Sequence, residues 1–205
     1  MPRSTPANAV FLNVPFDAAY RPLFEALVFC VIDCGYEPRC AMEASDGGHV
    51  RVEKITRIIA DCAFGVHDIS RTELDRKSRL PRFNMPFELG LFLGAKRFGD
   101  PRQKRKSTLI LDRERYRFQH YLSDIAGQDI KAHGDKPALL IRAVRDWLRD
   151  AAPRRHLPSS TVIAGRYAKF RRDLPALCHK LRLDPEELTY NDYKWVIRRW
   201  LVDNA

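Results

Sequence analysis

The chain predicts an α/β protein: a parallel sheet with helices on both faces, followed by a small helical module at the C-terminus. Three observations predict it. Short apolar runs alternate with helix-length segments, the pattern of βαβ units. The runs end in turn-forming or polar residues, as strands feeding crossover loops do. Beyond residue 152 the strand-like runs stop and the charge rises. Residues 1–152 carry 25 Lys and Arg against 20 Asp and Glu, whereas 153–205 carry 11 against 6. The expected division is therefore an α/β domain over 1–152 and a basic helical module over 153–205.

Residues 9–14, Ala-Val-Phe-Leu-Asn-Val, read as a buried strand, ended by Pro15, which cannot donate to a ladder. Residues 18–34 read as an apolar helix with Leu23, Leu27, Cys30, Val31 and Cys34 on one face, stopped by Gly35. Tyr36 to Met42 is a weaker second strand, and Asp46-Gly47-Gly48-His49 a turn that can form a lid. Residues 50–62 form an amphipathic helix with Val52, Ile55, Ile59 and Cys62 inward, and Ala63 to Ile69 a third strand.

A polar loop over 70–84 leads to a helix entered through Asn84 and Pro86. Glu88 is its one acidic residue, set among Met85, Phe87, Leu89, Leu91 and Phe92, which predicts a buried helix with a carboxylate in its first turn. Gly90 and Gly94 share one face and predict close packing against the sheet. A basic connector, 102–106, precedes a fourth strand over Thr108 to Leu111, and helices follow over 115–126 and 136–151. After a linker at 153–158, residues 160–173 are helical, Asp184-Pro185-Glu186-Glu187 has the form of a helix start, and Thr189 with Asp192 opens a last helix.

Composition excludes several classes. No run of about 18 apolar residues exists to span a membrane, and the first residues lack the apolar core of a signal peptide, so a cytoplasmic protein without membrane partners is expected. The five cysteines form no CxxC pair and read as small buried hydrophobes. The six histidines lack ligand spacing, so no metal is expected. The net charge of +10 suggests an anionic ligand or partner: a nucleotide, nucleic acid or an acidic protein surface. In the tail, Arg166, Lys169 and Arg172 share a helix face that nucleic acid can use or water can solvate.

In parallel sheets ligands bind at the carboxyl ends of the strands. Those ends here hold Asn13 to Asp17, Asp68 to Ser70, and Asp112. Burial raises a carboxylate's pKa while a helix N-terminus lowers it, and opposing pulls of this kind mark functional candidates. Glu88 is accordingly the candidate catalytic residue, with dipole complementation as its structural alternative. Asp68 and Ser70 suit sugar hydroxyls or a turn, and Phe16 suits base stacking, with Asp17 beside it as a helix cap. His67, inside a strand, reads as a core histidine.

The strand-end Asp68–Ser70 followed by Asn84-Met85-Pro86-Phe87-Glu88-Leu89-Gly90 resembles the bacterial TIR-like nucleotide-binding proteins, which carry an Asn-x-x-Phe-Glu-Leu-Gly helix start. It is similar, more distantly, to the nucleoside 2-deoxyribosyltransferases. The resemblance spans roughly residues 9–112 and implies a flavodoxin-like sheet acting on N-glycosidic bonds with Glu88 as the catalytic carboxylate. It further implies a nucleotide substrate such as NAD and no cofactor. Asn13, Phe16, Asp68, Ser70, Arg82 and Asn84 become substrate-binding candidates, with Arg71, Arg79 or Arg82 at a pyrophosphate. A bacterial antiphage or toxin-type effector follows, acting as a homo-oligomer or with a partner protein through the C-terminal module. Deoxyribosyltransferases keep an acid where this chain has Pro81-Arg82-Phe83-Asn84, a basic stretch that suits a phosphate-bearing substrate. The alternatives are a non-catalytic nucleotide-sensing module and a nucleoside deoxyribosyltransferase.

Overall fold

In a computed structural model of the chain, the structure describes residues 8–43, 48, 50–74, 79–81, 83–153 and 156–204. Five strands, β1 (Ala9–Asn13), β2 (Glu37–Arg39), β3 (Phe64–Asp68), β4 (Ser107–Asp112) and β5 (Ile130–Ala132), form one sheet in the order β2-β1-β3-β4-β5. Every pairing is parallel. Among the described residues, seven α-helices accompany it: α1 (Arg21–Asp33), α2 (Arg51–Asp61), α3 (Asn84–Phe98), α4 (Pro101–Lys104), α5 (Pro137–Ala151), α6 (Ser160–Leu181) and α7 (Tyr190–Asn204). This is a flavodoxin-like α/β fold with added C-terminal helices.

The period-two alternation of β1 separates two cores. Val10 and Leu12 face α1 and α5, whereas Ala9 and Phe11 face α2 and Phe92 of α3. A third cluster joins Ile69, Leu89, Ile110 and Phe118. The first core continues outward. Phe29 of α1 lies 5.3 Å from Phe170 and 6.0 Å from Trp200, ring centre to centre. This explains why α1 is apolar nearly all round: the sheet covers one side and α6 with α7 the other.

Several elements differ from the sequence reading. The second strand shrinks to three residues, followed by a 3-10 turn at Ala41–Glu43. The segment 115–126 is not an α-helix. Tyr116 takes a left-handed backbone (φ 61°), and two short 3-10 turns follow at Arg117–His120 and Ser123–Ile125. The basic connector contains α4, whose N-terminus is capped by Asp100 accepting from the Gln103 amide at 2.9 Å. The fifth strand carries no apolar-run signal, being three residues long with Lys131 at its centre. Helix α6 runs through Pro175 to Leu181 instead of ending at 173. Asp184 makes a turn and starts no helix, its carboxylate accepting from the Glu186 amide at 2.8 Å. Thr189 and Asp192 do open α7: the Asp192 amide donates to Thr189 Oγ1 (3.2 Å) and the Thr189 amide to Asp192 Oδ2 (3.1 Å).

The largest correction concerns α3. Asn84 is exposed and does not cap it, and Glu88 stands in the second turn, with no acidic residue in the first. Only Glu88, Leu89 and Phe92 of this helix are buried. Gly90 and Gly94 do not pack against the sheet, since a Cβ at either position would meet nothing within 4 Å. Among the described residues no helix is long and apolar enough to cross a membrane.

Candidate functional site

The carboxyl ends of β1, β3 and β4 carry a set of buried polar side chains. Asn13, at the end of β1, donates through Nδ2 to the Met85 carbonyl of α3 at 2.8 Å, and the same nitrogen lies 3.0 Å from His67 Nδ1. Because that amide nitrogen can only donate, His67 Nδ1 accepts, which assigns the ring proton to Nε2. Burial, with Lys106 nearby, lowers the His67 pKa to about 3, so the ring is neutral. His67 also lies 4.8 Å from Phe92 and 5.7 Å from Phe11, centroid to centroid. It is a core histidine, as its place inside the strand suggests.

Asp68 ends β3 with no solvent exposure. Its Oδ2 accepts from the Tyr20 hydroxyl at 2.5 Å and lies 3.0 Å from His133 Nε2, while Oδ1 accepts from the Ser70 amide at 2.9 Å. Burial alone would raise this carboxyl. His133, the Ser70 amide and Tyr20 outweigh it and hold Asp68 below its ordinary value. Ser70 is itself buried, and its Oγ has no hydrogen-bond partner among the described residues.

Asp112, at the end of β4, is also fully buried. Its Oδ1 accepts from Arg117 Nη2 (2.7 Å) and Nε (2.9 Å), and its Oδ2 lies 2.9 Å from the Tyr121 hydroxyl. The same guanidinium donates to the Ser70 carbonyl at 2.6 Å and to Thr72 Oγ1 at 2.9 Å, clamping the exit of β3. Tyr20, Arg117, Tyr121 and His133 were not singled out from sequence. Arg117 and Tyr121 carry a weak signal in their i, i+4 spacing after a strand-end Asp. Tyr20 and His133 reach Asp68 only through the fold.

Glu88 differs from these two aspartates. It is 5% exposed, and no hydrogen bond from a described residue stabilises its charge. Burial pushes its pKa up to about 7, against a pull from the Arg51 guanidinium at the start of α2. Asn13 fixes the Met85 carbonyl, one turn earlier on the same helix, so the end of β1 sets where Glu88 sits.

The remaining candidates are dispersed. Phe16 is 39% exposed and stands edge-on to Phe24, with ring centres 5.5 Å apart. It lines a cavity of about 330 Å³ with Tyr190 and Tyr193 of α7, a cavity that Glu88 does not line. Arg71 faces Asp17 at 3.8 Å, and Arg79 is exposed. Arg82, the segment 44–47 and His49 lie outside the described residues. Among the described residues no group of three or more His, Cys, Asp or Glu is arranged to hold a metal. In the tail, Arg166 pairs with Asp33 at 2.9 Å and Lys169 donates to Asn204 at 2.6 Å, so two of the three residues on the basic face are engaged within the fold.

Compared with known protein families and with curated proteins, the chain matches none.

Proposed function

We propose that the protein is an N-glycosidase-type enzyme that cleaves the N-glycosidic bond of NAD or a related nucleotide, with Glu88 as its catalytic carboxylate. One observation carries this reading: a buried glutamate held at about 7 by burial, with no hydrogen bond or ion pair from a described residue to occupy it. The two strand-end aspartates look different. Asp68 and Asp112 are saturated by hydroxyl, amide and guanidinium donors.

The chemistry needs little else. The C1′–N bond breaks, its electron pair leaves with the nicotinamide ring, and the ring's positive charge is neutralised. The ribose passes through an oxocarbenium-like state that an ionised Glu88 stabilises or traps. Water then adds at C1′ and gives up a proton. A cationic leaving group requires no general acid. In this reading Asn13 is a positioning residue, acting on α3 through the Met85 carbonyl, and Asp68 holds the end of β3. The Ser70 hydroxyl and Asn84 are the side chains left to meet the sugar. The resemblance suggests the cellular role of an antiphage or toxin-type effector.

The test is incubation of purified protein with NAD and a panel of nucleosides and nucleotides, read by mass spectrometry. Release of the free base from one substrate class supports the reading. Binding without product leaves a sensing module in its place, and base transfer to a second base indicates the deoxyribosyltransferase alternative.

A further inference from the structure

The outward face of α3 carries an apolar stripe, edged near its C-terminal end by the exposed Arg97. At 100° per residue, positions 83, 87, 90, 94 and 98 fall within about 80° of arc, opposite the buried Glu88, Leu89 and Phe92. Phe83, Phe87 and Phe98 are 62%, 57% and 86% exposed, and Leu74 and Leu80, in the segment leading to the helix, are 53% and 66% exposed. Between the phenylalanines, Gly90 and Gly94 leave a hollow that no neighbouring atom fills. A helix apolar on both faces is ordinarily covered on both.

We propose that this face binds a second copy of the chain, with the two α3 helices crossing antiparallel at Gly90 and Gly94. The first argument is area. Taking about 200 Å² for an aromatic residue, the three exposed phenylalanines present roughly 400 Å² of apolar surface. That is the size of a functional patch on a monomer, and about half of the ~800 Å² per partner that a stable interface buries. The second argument is symmetry. A two-fold interface needs a patch complementary to itself. The stripe Phe87–Gly90–Gly94–Phe98 reads nearly the same in both directions about its midpoint. A two-fold axis near residue 92 therefore sets large residues beside the partner's large residues and hollow on hollow. Small residues at the crossing let the helix axes approach closely. The chain's charge of +10 opposes association, so added salt screens the repulsion and strengthens this contact. The inference does not rest on the catalytic reading of Glu88, which lies on the other face.

Sedimentation of the full chain over a range of micromolar concentrations tests it. The wild-type mass is expected to rise from 23.8 kDa toward twice that value, more completely at high salt. Gly94→Gln has room in the monomer and blocks the crossing, and Phe87→Glu charges it. Each is expected to weaken association at least tenfold with an unchanged circular dichroism spectrum. Val202→Glu, on the exposed side of α7, is expected to change nothing. A wild type that stays at 23.8 kDa throughout overturns the proposal, as does a dimer insensitive to both α3 substitutions or disrupted by Val202→Glu.

Discussion

The Tyr20 hydroxyl donates to Asp68 Oδ2 at 2.5 Å, joining the turn before α1 to the end of β3 inside a fully buried pocket. Tyr20→Phe removes the donor and keeps the ring. A hydrogen bond to a charged group contributes about 1.5–3 kcal/mol, and a loss of that size is expected in urea denaturation at neutral pH. The sign with pH follows from Asp68, whose folded pKa lies below its ordinary 3.8. Its stabilisation is present above that value and disappears as pH falls through the folded pKa. The gap between wild type and Tyr20→Phe should therefore narrow at the acid end.

Arg117 holds Asp112 through two nitrogens and also ties down the Ser70 carbonyl. Arg117→Ala leaves a buried carboxylate whose remaining partners among the described residues are the Tyr121 hydroxyl and the Arg113 amide. Removing one partner of a buried pair costs about 3–5 kcal/mol. Arg117→Lys should recover less than half, because an ammonium cannot reproduce the two-pronged contact. Thermal unfolding of both variants measures this.

Gly65 in β3 is fixed by space. A Cβ there would stand 2.6 Å from the Phe92 ring and 2.7 Å from His67 Nε2. Gly65→Ala is expected to destabilise by about 1–3 kcal/mol, the usual range for overpacking a core. It should also displace α3, which nuclear magnetic resonance shifts of the Glu88 and Leu89 amides would report.

Glu88 should make the protein less stable as pH rises. Its folded pKa is raised from 4.5 to about 7, so the folded state binds more protons than the unfolded chain between those values. The stabilisation is complete below 4.5 and lost on passing about 7. Glu88→Gln removes this dependence and is expected to be more stable than wild type by about 1–3 kcal/mol at mildly alkaline pH. Melting temperatures of the two proteins should converge at acid pH.

The sheet was legible because each long strand is an apolar run bounded by a strong stop, as Val14-Pro15 and Asp68-Ile69-Ser70 show. Strand β5 was hidden by its length and its central lysine. The segment at 115–126 misled because Phe118, Leu122 and Ile125 keep helical spacing, while the tertiary demand to bring Arg117 and Tyr121 onto Asp112 breaks the helix. At the strand ends, composition revealed the acids but not their partners. Tyr20 lies 48 residues from Asp68 along the chain, and nothing local announces the contact. Glu88 stood out because an isolated carboxylate among Phe87, Leu89, Leu91 and Phe92 conflicts with its surroundings. The same apolar run wrongly implied that the whole of α3 is buried. Periodicity identifies apolar faces, and it does not say whether this chain or another covers them.

Catalysis by Glu88 is read from the rate of nicotinamide release from NAD as a function of pH, for wild type and Glu88→Gln. The wild-type rate is expected to rise as pH passes about 7 and then level, following ionisation of Glu88, with the Gln variant slower by a factor of about 100 or more on that plateau and the gap closing as pH falls. A Gln variant as fast as wild type on that plateau, or no release by wild type either dilute or concentrated, would contradict this role.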